Sequence, residues 1–173
     1  MSAIVAIRQR AHDVRMMGPS ALLAFVVLWG GLITWLSAQP SRHEPPSGFT
    51  VHLLFNSGHA PLFGFWAGGL AFFLGSRAKR PIPDLAFGIV AVGAAILFGA
   101  ADEWHQSFVP GRTSSWTDVV TDGFGAAITI LILRYLASSR ATVGGFLLRA
   151  ILGIGLILVV GAGVTEADSQ GIG

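Results

Sequence analysis

The chain has 173 residues, 53% of them hydrophobic and only 12% charged, with a mean hydropathy of +0.67. A soluble domain carries about a quarter charged residues, so this composition excludes one and points to an integral membrane protein. Cysteine is absent, which excludes disulfides, thiolate metal sites and cysteine nucleophiles.

Residues 1–19 form a short segment in which Arg8, Arg10 and Arg15 face a single acid, Asp13. Residues 21–38 then run 18 positions without a charge, enough to cross the hydrocarbon core of a bilayer. Pro19 and Ser20 suit a helix start, and Trp35 suits an interfacial anchor. The rival reading is a signal peptide ending at Leu36-Ser37-Ala38, which Trp29, Trp35 and the length of the run disfavour. Residues 39–58 read as a polar connection rich in Pro and Gly. A second span is expected to begin near Ala60-Pro61, with Pro61 in its first turn, and to end near Gly75. Within it Gly64, Gly68, Ala71 and Gly75 recur at spacings of 4, 3 and 4, a small-residue seam for a closely packed neighbour. A third span covers 85–101 and leads directly into Asp102. The fourth begins near Asp118 and ends near Arg134-Tyr135, where long side chains can reach the interface. The fifth covers about 150–164, and residues 166–173 read as a short acidic, disordered tail.

The predicted architecture is therefore an all-α, polytopic membrane bundle of about five transmembrane helices. Basic residues orient it. The N-terminus, the loop at 75–84 and the connection at 134–149 hold three Lys/Arg each, nine of eleven. By the positive-inside rule these lie in the cytoplasm. Seven of the nine acids fall on the other side. A pI near 9.9 invites a nucleic-acid reading, but basic residues divided among short segments between apolar runs fit membrane topology instead. The expected location is the bacterial cytoplasmic membrane, N-terminus inside, with the loop at 102–118 outside and membrane lipids as neighbours.

That loop and its flanks, residues 102–125, carry four of the nine carboxylates, one histidine and a lone arginine. A charge at the bilayer centre costs about 2.5–3.5 kcal/mol, so acids at the ends of spans mark a functional site by default. If the third helix continues to Gln106, Asp102 and Gln106 lie one turn apart above Gly99, flanked by Glu103 and His105. Trp104 and Phe108 then point away. Pro110-Gly111 reads as a tight turn that aims Arg112 back at the carboxylates. Ser115-x-x-Asp118 has the form of a capping box. Asp118, Asp122, Gly125 and Thr129 form one polar and small stripe, expected to face the arc from Asp102 to Gln106, with Arg112 bridging acids of both helices. His59, at the outer mouth of the second span, joins them by topology.

The pattern Glu103-x-x-Gln106-x-Phe108-x-Pro110-Gly111-Arg112, then Asp118, a polar residue four later and Gly125, resembles the VanZ-like family of bacterial membrane proteins. His59 ahead of an aromatic, apolar span is similar to that family's upstream histidine. The resemblance covers roughly 20–137, leaving a further transmembrane helix within 138–165 outside it. Asp122 stands where the family usually has Asn. The resemblance implies an influence on glycopeptide (teicoplanin) susceptibility and brings no settled biochemical activity.

Three readings of the candidate cluster, His59, Asp102, Glu103, Gln106, Arg112, Asp118 and Asp122, stay open at this point. It can bind an amphiphilic or lipid-linked envelope molecule, or a glycopeptide, with Arg112 and His59 meeting an anionic head. It can be a hydrolase or transferase site acting on an envelope lipid or wall precursor. There His59 and Glu103 would act as base and acid, or Glu103, Asp118 and Asp122 with His59 or His105 would hold a divalent cation. It can also be a structural latch. No cofactor and no metal is named by the sequence.

Overall fold

The computed structural model describes residues 18–40, 49–78, 84–112 and 114–169. The basic N-terminal segment before Gly18, Arg42, and Lys79 and Arg80 of the basic loop lie outside the described residues. Among the described residues five helices follow one another: α1 Pro19–Ser37, α2 Phe49–Ala78, α3 Leu85–Gln106, α4 Trp116–Ala137 and α5 Val143–Ser169. Among the described residues there is no strand.

Local chemistry sets most of the boundaries. Pro19 occupies the first turn of α1, where its missing N–H costs nothing. Asp84 caps α3 by accepting from the Ala86 N–H at 2.8 Å. Ser115 caps α4 through the Thr117 N–H at 3.3 Å. Between α3 and α4 the Arg112 N–H donates to the Val109 carbonyl at 3.1 Å. Gly111 has a φ of 76°. Pro110 and Gly111 thus fill the two central positions of a type II turn. Gly111→Ala is expected to lower stability by about 1 kcal/mol, because a Cβ strains the left-handed region. Gly111→Asn should cost less, and thermal unfolding of both purified variants checks the order.

Four helices, α1, α3, α4 and α5, are long and apolar enough to cross a membrane. Each turns an apolar row outward, for example Val27 and Leu28, Ile89 and Leu97, Leu131, and Ile151 and Val159. α2 is different because it sits in the middle. It packs against all four others, and Ala60, Phe63, Ala67 and Ala71 are buried. A helix shielded from lipid needs small residues more than hydropathy. α1 runs antiparallel to it through the same depth. The Trp29 indole N–H donates to the Leu62 carbonyl at 2.9 Å, and the Trp66 indole N–H returns the bond to the Val26 carbonyl at 3.1 Å.

The small-residue seam is the tightest contact. A Cβ at Gly64 would meet Thr129 and the Gly125 carbonyl, and one at Gly68 would meet Leu133 and Thr129. From the other side, a Cβ at Gly125 would enter the backbone of Ala60. The core is correspondingly thin, built from Ala67, Ala71, Ala91, Ala95 and Ala126 around Phe63 and Ile130.

Two boundaries differ from expectation. α2 begins at Phe49, not near Ala60, so Pro61 lies inside the helix. Pro61 is exposed, and the hydrogen bond it omits from the Ser57 carbonyl is the only one its ring can remove. α5 runs from Val143 to Ser169, well beyond 150–164, and takes in the first residues of the acidic segment placed in the tail. Near its N-terminal end Tyr135, at the start of the basic connection, accepts the Thr142 N–H at 3.0 Å while Arg149 stacks over its ring at 3.7 Å.

Candidate functional site

The C-terminal ends of α1 and α3, the His59 level of α2 and the start of α4 meet at one end of the bundle. α3 continues to Gln106, and its last turn buries Asp102, Glu103 and Gln106 on one face. Trp104 and Phe108 point the other way, exposed, with their rings edge to face at 5.4 Å.

Each buried acid has its own partner. Asp102 Oδ2 accepts from the Ser37 hydroxyl at 2.6 Å and from Gln106 Nε2 at 2.9 Å. Glu103 is 1% exposed. Its Oε1 lies 3.2 Å from Gln106 Nε2, and its Oε2 accepts the Ser115 backbone N–H at 2.7 Å. The capping box is therefore completed from another helix: Glu103 of α3 takes the N–H at the head of α4. Asp122 lies on the bare backbone of Gly99, where any Cβ would strike its carboxylate. Its Oδ1 sits 3.4 Å from His59 Nδ1. Asp118 is half-buried in the first turn of α4, close enough to act electrostatically on His59 and Glu103. Burial inside a bundle raises the value of each of these bonds, since a carboxylate there has no water to turn to.

Arg112 departs from expectation. It does not bridge the acids of α3 and α4. Its Nη2 donates to the Leu36 carbonyl at 2.7 Å and its Nε to the Gln39 carbonyl at 3.1 Å. The Leu36 carbonyl, which also accepts the Gln39 N–H at 3.3 Å, and the Gln39 carbonyl just beyond it lie at the C-terminus of α1, the negative end of the helix, where a cation is a natural cap. Among the described residues no carboxylate pairs with Arg112.

Between these groups lies a cavity of about 300 Å³. Ile33, Leu36, Leu62 and Phe63 give it apolar walls, while Ser37, His59, Gln106 and Arg112 supply its polar atoms. His59 stacks on Phe63 with ring planes 7° apart, which fixes the imidazole at the wall. The arrangement can hold an apolar chain and meet a charged head beside it.

The structure thus joins Asp102, Glu103 and Gln106 in one network, and pairs His59 with Asp122 beside it. His105 is exposed and outside both. Among the described residues no three His, Asp or Glu side chains converge closely enough to hold a metal ion. Sequence reasoning missed Ser37, whose partner is 65 residues away, and gave Ser115 only a capping role. The backbone carbonyls of Leu36 and Gln39 carry no side-chain signal at all.

The VanZ/LLP1 family model matches residues 12–137 of the chain. The chain belongs to this family. No curated protein and no solved structure matches it. The matched region ends with α4, so the whole cluster and cavity fall inside the VanZ/LLP1 part, and α5 is an addition packed on α2 and α4. Gly161 of α5 abuts Ser57 and Leu53 of α2, which precede His59 on the same helix.

Proposed function

We propose that this VanZ-like membrane protein binds an anionic, lipid-linked or amphiphilic molecule of the bacterial envelope in the cavity at the α1–α3 end. The observation that carries the reading is the pairing of apolar walls with Arg112 and His59 at one mouth. Arg112 uses Nε and one Nη nitrogen on α1, which leaves Nη1 for a phosphate or carboxylate oxygen. The acids are held by their own partners beneath, so they shape the floor without occupying the arginine. Under this reading the cavity faces outward from the cytoplasmic membrane, where wall precursors and glycopeptides are met, and its occupancy influences glycopeptide susceptibility.

Binding tests the reading directly. In detergent, wild-type protein should bind a short-chain phosphatidylglycerol and ignore the matching diacylglycerol. Arg112→Ala should weaken the phospholipid by about 10- to 100-fold, the range of one to two hydrogen bonds to a charged group. Unchanged binding by Arg112→Ala would refute it. Orientation has a separate check, since the native chain offers no thiol. A single Cys at Ser114 should react with an impermeant maleimide on intact cells, and one at Ala78 should not. The reverse pattern moves the cavity to the cytoplasm.

A second reading, turnover of the bound molecule by a hydrolase or transferase reaction, is favoured by one feature. His59 presents its ring at the cavity wall with a buried carboxylate, Asp122, behind Nδ1, as a proton-transferring histidine requires. His59→Asn would then abolish product formation from an envelope lipid while leaving its binding intact.

A further inference from the structure

The cavity's hydrogen-bonding polarity is divided, and the division follows from bonds made behind its wall. Gln106 directs Nε2 at two carboxylates at once, Asp102 Oδ2 at 2.9 Å and Glu103 Oε1 at 3.2 Å. Both acceptors fix the amide's orientation, because a flipped amide would set its carbonyl against two carboxylate oxygens. The atom Gln106 has left for the cavity is therefore Oε1, an acceptor. Ser37 donates its only hydroxyl proton to the same Asp102 Oδ2 at 2.6 Å, so toward the cavity it too can only accept. Arg112 is a donor and nothing else. The cavity thus has a donor at its mouth, Arg112, and an acceptor pair, Ser37 and Gln106, deeper in the polar side.

Building on the binding reading above, the geometry points to a specific ligand class: a phosphodiester amphiphile whose headgroup carries hydrogen-bond donors beyond the phosphate. The phosphate meets Arg112, the chains follow Leu36, Leu62 and Phe63, and hydroxyl or ammonium protons meet Gln106 Oε1 and Ser37 Oγ. A headgroup without donors, such as choline, leaves unmet the acceptors of two side chains that are themselves almost fully buried, and an unmet buried acceptor is penalised more heavily than a formed bond is rewarded. Selectivity against such a headgroup is the consequence.

The test compares phosphatidylglycerol, phosphatidylethanolamine and phosphatidylcholine of identical short chains on the full-length protein in a neutral detergent. Phosphatidylglycerol or phosphatidylethanolamine should bind about tenfold more tightly than phosphatidylcholine, as two net hydrogen bonds give. Phosphatidylethanolamine above phosphatidylcholine, at equal net charge, supports the inference; phosphatidylglycerol above both, with those two equal, reports net charge at Arg112 and overturns the donor requirement. Ser37→Ala should reduce the preference over phosphatidylcholine by about threefold or more, and Ser37→Thr should restore it. Equal binding of all three lipids, still lost in Arg112→Ala, would overturn the donor requirement while leaving the phosphate-binding reading in place. Arg112-independent binding of all three would remove both. The wild-type lipid comparison decides the matter even where a variant fails to fold.

Discussion

Glu103→Ala is expected to lower the stability of the bundle by about 3 kcal/mol, read from thermal or denaturant unfolding in detergent. The side chain is 1% exposed and ties two elements through two oxygens. Its removal takes away the carboxylate that accepts the Ser115 N–H at 2.7 Å, a loss of about 1–3 kcal/mol by itself. It also frees one of the two acceptors that hold Gln106 and opens a cavity at the head of α4. Glu103→Gln should lose less, about 1 kcal/mol. The amide oxygen can still accept from Ser115, but its NH₂ then faces Gln106 Nε2, donor against donor. Equal losses for Ala and Gln would show that volume, not the Ser115 bond, is what Glu103 supplies. Because Glu103 is enclosed, its effect on any ligand should appear through Gln106 and not through direct contact.

Gly125→Ala should destabilise the structure by about 3 kcal/mol, the upper end of what overpacking typically produces. The added methyl would enter the carbonyl, Cα and O of Ala60, all backbone, so no rotamer change can relieve it. Gly64→Ala, on the opposite face of the same crossing, meets first the hydroxyl of Thr129, which can move. The pair makes a rescue experiment. Thr129→Ala should recover part of the stability lost in Gly64→Ala, and no side-chain change at position 60 should recover Gly125→Ala. The crossing also sets the site, since His59 is the neighbour of Ala60. Forcing α2 and α4 apart would lengthen the 3.4 Å contact between His59 and Asp122. Gly125→Ala is therefore expected to weaken ligand binding along with stability.

How much of this was legible from residues alone depends on what kind of group makes each contact. The seam at Gly64 and Gly68 was readable because small residues at helical spacing have one strong use in a membrane protein. The arc of Asp102, Glu103 and Gln106 was readable for the same reason of periodicity, once α3 was carried past the apolar run. Pro61 misled because a proline after a polar stretch resembles a helix start, and the continuation of α2 back to Phe49 depends on packing against α5 and not on local propensity. Arg112 misled through an assumption that an arginine among acids seeks acids. Its partners are backbone carbonyls, which every residue has, so no pattern of side chains could have pointed to them. Ser37 sat in a run whose apolar character masked it, and its pairing with Asp102 is a matter of three-dimensional register.

The distances along the chain between those partners have a consequence for synthesis. Ser37 and Asp102 are 65 residues apart, and Leu36 and Arg112 are 76 apart. Chains emerge from the ribosome N-terminus first, at about 5–20 residues per second. The C-terminal end of α1 must therefore wait several seconds before its partners on α3 and the following turn exist. The exchange of indole bonds between Trp29 and Trp66 arrives sooner and can hold α1 on α2 in the interval. The cavity is then complete only once Arg112 exists, and a nascent chain halted before it would carry α1 to α3 with the cavity unfinished.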